Sequence, residues 1–339
     1  MTHPTSPPHP PLPIAPEQPW LAPLAGFSDL SFRLLCREQG CAAACTEMVS
    51  AKGLIFNNMA TERILTTNAE DHPLVVQVYG PDAQTLGRAM DLLLERGARY
   101  FDLNAGCSVP KVTKTGSGAA LLREPETLTR IVATMIAKAG EGRVGVKLRL
   151  GWRPGEDVLP DLAKRLEDLG VAWLTLHPRW AAQGFSGRAD WDRLARLREH
   201  VTVPIIASGD LFTAEDAWRC LRQTGVNGVM FARGALWDPA IFRKFLSLGP
   251  DGRPFHATPI YSLGIVRRHM ELARTHQDDR RALLAMRTIA PRYLRQFPGA
   301  KHLRTQLTRI ESWTQLEDLL DELTVVLNET TDLPNEDAS

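Results

Sequence analysis

Eight short apolar runs recur between residues 20 and 231, and stretches of helical periodicity separate them. The runs are 20–24 (WLAPL), 42–48 (AAACTEM), 74–79 (LVVQVY), 100–104 (YFDLN), 144–150 (VGVKLRL), 173–177 (WLTLH), 203–208 (VPIIAS) and 228–231 (GVMF). Most are apolar without alternation, the pattern of parallel strands buried on both faces. Helical patterns run over 82–96, 124–139, 157–169, 213–224 and 239–248, and several open with a capping residue or a first-turn proline. Eight strand–helix units fit a (β/α)8 TIM barrel, typically about 250 residues long. A doubly wound sheet is the competing α/β arrangement, but no G-x-G-x-x-G follows the first strand. Beyond residue 250 the strand signal stops. Residues 259–326 carry helical periodicity with a break near Phe297-Pro298-Gly299, which predicts a small all-helical C-terminal domain of three or four helices.

The flanks set the remaining boundaries. The first twenty residues hold eight prolines and no apolar h-region, so 1–19 read as a disordered Pro-rich leader rather than a signal peptide. The barrel is expected over 20–250, the helical domain over 251–328 and an acidic tail over 329–339. Hydrophobic residues make up 44% of the 339, which excludes global disorder. Five cysteines, an odd number, do not build a disulfide framework in a chain of this length. No run approaches the roughly 18 apolar residues of a membrane span. A reducing cytoplasm is the expected compartment, with no membrane partner.

In a TIM barrel the chemistry sits at the carboxyl ends of the strands, and polar and small residues converge there. The first strand ends in Pro23-Leu24-Ala25-Gly26, a small-residue turn that admits a flat ligand. Glu47, Gln77 and Asn104-Ala105-Gly106-Cys107 follow at strands two to four. Lys147 and Arg149 end strand five, and His177 and Arg179 strand six. Ser208-Gly209-Asp210 and Ala232-Arg233-Gly234 close the set. The last two loops commonly cradle a phosphate in this fold, and plain turn glycines are the other reading. Lys147 in a barrel mouth needs an anionic partner. His177 either hydrogen-bonds a carbonyl, carries a proton or is a satisfied structural histidine. Cys107 reaches the cavity or is a small buried residue. Cys36, Cys41 and Cys45 form a C-x4-C-x3-C run, but one falls on a helix and no fourth ligand is near, so no metal site is expected.

Read together, LAPLAGFSDLSFR, TEMVSAKGL, QVYG, DLNAGCSVPKVTKTGSGAALL, VKLRLGW, LHPRWAAQGFSGRADW, PIIASGDL, GVMFARGALWDPAIF and FPGAKHLR resemble the flavin-dependent tRNA-dihydrouridine synthases, in order from about residue 20 to 310. The resemblance implies an FMN-bound barrel that reduces a uracil base in folded tRNA, with NADPH (or NADH) as electron source. It places Pro23, Leu24 and Ala25 along the flavin, Gln77 and Lys147 on its ring, and His177 in contact with it. Ser208, Gly209, Asp210, Ala232 and Arg233 would hold the ribityl chain and phosphate. Cys107 falls on the proton donor. Asn104, Arg149 and Arg179 are weaker candidates for contact with base or RNA phosphate. Because the target carbons are stacked in folded RNA, the base has to be flipped out. Three positions depart from the family pattern: Ser108 where a proline usually follows the cysteine, Ser208 where an asparagine is usual, and Ile289 where a histidine is usual.

Net charge looks uninformative until it is divided. The whole chain has 40 Lys+Arg against 39 Asp+Glu, yet residues 251–310 hold 12 against 4, and residues 311–339 hold none against 9. A basic helical domain beside a catalytic mouth is the footprint of RNA-backbone binding. A ribosomal-RNA substrate, a low-turnover RNA-binding flavoprotein and a small-molecule FMN reductase are the alternatives. The basic region argues against the last of these. A monomer is expected.

Overall fold

The computed structural model describes residues 11–249, 252–295 and 301–331. Its strands are β1 (Trp20–Leu21), β2 (Ala43–Cys45), β3 (Val49–Ser50), β4 (Leu74–Tyr79), β5 (Tyr100–Ala105), β6 (Val144–Arg149), β7 (Trp173–His177), β8 (Ile205–Ser208) and β9 (Gly228–Phe231). Every pairing is parallel, in the order β2-β1-β9-β8-β7-β6-β5-β4, and β2 also pairs with β4, which closes the sheet. β3 pairs only with the upper end of β4, Val49 opposite Val78. β2 and β3 therefore share one barrel position, and the expected eight-membered TIM barrel is present. The run expected as one strand over 42–48 is interrupted because the Thr46 side-chain hydroxyl accepts the Gln77 N–H (3.1 Å) where a ladder carbonyl would otherwise stand.

Alternate strand residues fill the barrel interior, as the period of two requires. Trp20, Cys45, Tyr100, Trp173, Ile206 and Met230 form one buried cluster, with the Trp20 and Trp173 rings edge to face at 5.7 Å. Gly145 on β6 makes room for them, since a Cβ there would stand 2.0 Å from the Trp173 ring. Residues 11–19 correct the expectation of a disordered leader. Leu12 and Ile14 pack against this same cluster, and Trp20 Nε1 donates to the Pro13 carbonyl at 2.8 Å. Proline content rules out helix and sheet, but it does not stop two aliphatic side chains from covering apolar surface at the base of a barrel. Residues 1–10 lie outside the described residues.

The outer helices begin where their caps dictate. Asp82 accepts the Thr85 N–H (2.7 Å) ahead of the helix Ala83–Glu95, and Thr213 with Asp216 makes a capping box for Ala214–Thr224. Past the barrel lie helices Pro259–His276, Asp279–Tyr293, Lys301–Leu307 and Trp313–Thr331. The expected break at 297–299 and residues 332–339 of the acidic tail lie outside the described residues. The first of these helices lies against Leu30–Glu38 of the barrel. Arg268 grips Glu38 through Nε and Nη2, Tyr261 donates its hydroxyl to Gln39 Oε1 (2.6 Å), and Gln277 Nε2 donates to Asp29 and Ser31. These contacts fix the helical region beside the loop that follows β1.

Candidate active site

A cavity of about 420 Å³ opens at the carboxyl end of the barrel. Of the residues expected there, Pro23, Leu24, Ala25, Asn104, Cys107, Lys147, Arg149, His177, Ser208, Gly209, Asp210, Ala232 and Arg233 line it. Gln77 and Arg179 do not. Gln77 is fully buried behind the floor, and Arg179 is equally buried behind one wall. Glu47 is also displaced from the cavity; its carboxylate accepts the Gly26 N–H and so pins the turn after β1.

The loop that carries Cys107 is held from both sides. Asn104 Oδ1 accepts the N–H groups of Gly106 (3.2 Å) and Cys107 (2.9 Å), an Asx-type turn. From behind, the Ala119 N–H donates to the Cys107 carbonyl at 2.9 Å. Gly118 permits that approach: its φ is +62°, and a Cβ would stand 2.7 Å from the Cys107 oxygen. The glycine-rich G-S-G-A-A-L-L stretch is thus a brace behind the cysteine. Cys107 itself is half-buried, whereas Cys36, Cys41, Cys45 and Cys220 are buried. Burial pushes the Cys41 and Cys220 thiols up to about 12 and Cys36 and Cys45 well above the usual thiol range. These four are inert packing residues.

Lys147 faces Asn104 across the β5–β6 ladder. Burial pulls its pKa down and raises that of Asp102 on the same floor, while each charge partly steadies the other. A second group of cations surrounds His177. Burial, then Lys147, Arg149, Arg179 and Arg233, hold its imidazole well below the usual range. Arg179 Nη1 stands 3.1 Å from His177 Nε2, and a guanidinium only donates. Nε2 is therefore the acceptor and Nδ1 carries the proton, so the ring is neutral and fixed in one tautomer.

Arg179 does more than orient that ring. Its Nη1 and Nη2 donate to the two oxygens of Asp210 (2.9 and 2.7 Å), Nε donates to the Ser186 carbonyl and Nη2 to the Gly187 carbonyl. Arg149 donates to the carbonyls of Gly106, Trp180 and Gly184. The two arginines thereby build the loop 184–187. The expectation of Arg179 as a hand for RNA gives way to a structural role, because all its donors are engaged inside the wall. That loop carries Phe185, a lining residue that sequence reasoning missed. Its ring is 62% exposed, with the Arg149 and Arg233 guanidinium groups 5.6 and 4.7 Å from its centroid. One aromatic between two glycines was the signal available.

The helical region distributes its charge unevenly. Arg267 pairs with Asp321, Arg268 with Glu38 and Glu271, and Arg274 with Glu317. The acids at 317 and 321 thus return to neutralise helix Pro259–His276. Arg281, Arg292 and Arg295 make no ion pair among the described residues; the spacing of 11 places Arg281 and Arg292 on one face of helix Asp279–Tyr293, and Arg295 follows just past its end. Arg292 lies over the Phe27 ring (5.0 Å) and Arg295 over Trp237 (4.8 Å). Phe27 lines the cavity, so this cationic face borders the mouth.

The known proteins that this chain resembles form a consistent set. The family model for dihydrouridine synthase matches residues 20–329. A probable tRNA-dihydrouridine synthase 1 of Synechocystis sp. is 37% identical, covering 89% of this chain and 84% of that protein. A probable tRNA-dihydrouridine synthase of Mycobacterium tuberculosis is 36% identical over 89% and 81%. The tRNA-dihydrouridine synthase B of Pseudomonas aeruginosa is 31% identical over 86% and 88%. Among solved structures, an old yellow enzyme homologue from Zymomonas mobilis superposes with a TM-score of 0.51 at 14% identity, covering 72% of this chain and 91% of that one, a likeness of fold alone. A match across nearly the whole chain, together with relatives above 30% identity, places this chain in the dihydrouridine synthase family.

Proposed function

We infer that the protein is an FMN-dependent oxidoreductase that converts a uridine of folded tRNA to 5,6-dihydrouridine. The observation that carries this reading is Cys107, a half-buried thiol braced at the rim of a cavity that also presents Lys147 and neutral His177, in a chain of this family. The lining fits a flavin. Ala22, Pro23, Leu24 and Ala25 give a wall of mostly small residues, and Gly209 brings the backbone close: its φ is +110°, and a Cβ would stand 2.5 Å from His177. Pro23, Leu24, Ala25, Lys147 and His177 would hold the ring, and Ser208, Gly209, Asp210, Ala232 and Arg233 the ribityl chain and phosphate. Gln77 supports the floor from below.

Held by these residues, FMN would supply the hydride chemistry for reducing the uracil ring, with NADPH as the reductant. Cys107 holds the proton that carbon five receives and regains one from solvent afterwards. Lys147 offsets negative charge in the wall. His177 hydrogen-bonds without carrying charge, since its Nε2 accepts from Arg179. Arg149 stays at the wall, and Asn104 sets the cysteine loop. The RNA backbone runs along the unpaired cations of 251–310, chiefly Arg281, Arg292 and Arg295. We take a monomer as the working unit. No helix among the described residues is long and apolar enough to cross a membrane, and we place the reaction in the cytoplasm.

The test is a position-by-position map of dihydrouridine in tRNA and ribosomal RNA from a deletion strain, complemented by wild type or by Cys107→Ala. One or more tRNA positions should lose the modification on deletion and regain it only with wild type. Unchanged maps in a strain with no second such enzyme would overturn the reading, and rescue by Cys107→Ala would remove the thiol as proton donor. The purified protein should be yellow with flavin absorbance.

A further inference from the structure

Asp102 is a buried acid with no assigned task. It lies on β5 two residues below Asn104, on the same inward face, and is 1% exposed. Its Oδ2 accepts from Gln77 Nε2 at 2.7 Å, and the Trp173 indole is the carboxyl's other side-chain neighbour. Gln77 Oε1 accepts from Asn104 Nδ2 at 2.7 Å. Asn104 Oδ1 accepts from the N–H groups of Cys107 and Gly106 at 2.9 and 3.2 Å. Four side-chain and backbone groups thus run in one unbroken chain from the barrel floor to the cysteine.

The polarity of that chain has a single source. A primary amide can turn either its oxygen or its NH2 to a neighbour, whereas an ionised carboxylate only accepts. Asp102 forces the Gln77 NH2 toward itself, which leaves Gln77 Oε1 for Asn104. The Asn104 NH2 must then face Gln77, and its oxygen faces the cysteine loop. Burial raises the Asp102 pKa to about 7 although the Gln77 N–H and Lys147 pull it down, so the acceptor-only carboxylate is the form present above neutral pH, at the pH 8 of the test below. We propose that Asp102 is a positioning residue that, acting through Gln77 and Asn104, fixes the backbone amide of Cys107 and with it the placement of the thiol over the cavity. Its importance for catalysis rests on reading Cys107 as the working thiol; the amide polarity does not.

Asp102→Asn preserves shape and removes the one acceptor-only group. Both amides can then reverse, which would set the Asn104 NH2 against the Cys107 N–H. Residue-resolved hydrogen exchange at pH 8 should show Gly106 and Cys107 exchanging about tenfold faster, the loss of roughly one hydrogen bond, with Leu148 and Leu176 unchanged. Iodoacetamide should alkylate Cys107 of the flavin-free variant at an altered rate. Turnover should fall on the order of tenfold or more at unchanged KM for RNA. Asp102→Asn combined with Gln77→Glu moves the acceptor-only group one link along, to a carboxylate that takes NH2 groups from both neighbours, and should restore protection at Gly106 and Cys107. Unchanged exchange in a folded Asp102→Asn protein would overturn the proposal, as would equal loosening at Leu148 and Leu176. If the single variant does not fold, an unprotected Cys107 amide in the double variant overturns it. Full turnover by Cys107→Ala would sink the catalytic reading and leave the exchange result standing.

Discussion

Arg179 and Asp210 are joined by two hydrogen bonds, 2.9 and 2.7 Å long, although they lie at the ends of different strands. The pair ties the loop after β7 to the loop after β8, whose Gly209 and Asp210 are proposed to hold the ribityl chain and phosphate. Arg179 is 1% exposed, and Asp210 also takes Arg233 Nη2 and the Ala189 N–H. Asp210→Asn leaves a buried guanidinium with half a partner and should destabilise the protein by about 3 kcal/mol in urea melts. Burial alone would raise the Asp210 pKa, but Arg179, the Ala189 N–H and Arg233 outweigh it and hold it below the usual carboxylate range. The pair's contribution is therefore complete above about pH 4, the unfolded value, and is lost as pH falls through the folded one. The Asn variant should lack that acid-dependent loss.

A second pH effect of the same direction begins nearer neutrality. His269 is buried against Tyr293, whose hydroxyl lies 2.9 Å from Nδ1, and burial pulls its pKa down to about 3. In the unfolded chain it takes a proton below about pH 6.5. Between those values the unfolded state binds one more proton, so stability falls as pH falls, by about 1.4 kcal/mol per unit. His177 acts in the same direction. Urea melts from pH 7.5 to 5 should show this slope, and His269→Phe should remove one proton's share. An unchanged slope in a folded His269→Phe protein would contradict the assignment.

The barrel was legible because each strand announces itself through local composition, and strand ends fix which side chains reach the mouth. Depth and pairing were not legible. Gln77 shares the inward face with the lining residues, yet whether it meets a ligand or another amide depends on Asn104 and Asp102, 27 and 25 residues away. Arg179 reads as a free cation until Asp210, 31 residues on, is brought against it. The charge count over 251–310 overstated the cationic face, because Glu317 and Asp321 come from a separate helix. Leu12 and Ile14 gave no periodic signal at all, being two aliphatics among prolines.

That redistribution of charge separates two sets of arginines experimentally. Arg281, Arg292 and Arg295 have no carboxylate partner among the described residues, whereas Arg268 and Arg274 do. Arg292→Ala with Arg295→Ala should weaken tRNA binding and reduce the slope of log K against log salt by about 0.7 to 0.9 for each phosphate no longer neutralised. Arg268→Ala with Arg274→Ala should leave that slope unchanged. Equal slopes for both double variants in filter-binding titrations would remove the cationic face bordering the mouth as the RNA-binding surface.

Two glycines in the same backbone region distinguish strain from catalysis. Gly225 has φ +63° at a helix end and Gly118 has φ +62° behind Cys107. A Cβ on Gly225 would meet nothing within 4 Å, so Gly225→Ala should cost only the conformational penalty of about 1 to 2 kcal/mol and keep full turnover. On Gly118 the Cβ would stand 2.7 Å from the Cys107 carbonyl oxygen and 2.9 Å from Val112 Cγ1. Neither a backbone oxygen nor the buried Val112 can yield without moving the cysteine loop. Gly118→Ala should therefore add to the same stability cost a loss of turnover on the order of a hundredfold, as expected when a reacting group shifts by about an ångström. Comparable turnover in the two folded variants would show that the brace behind Cys107 does not set its position.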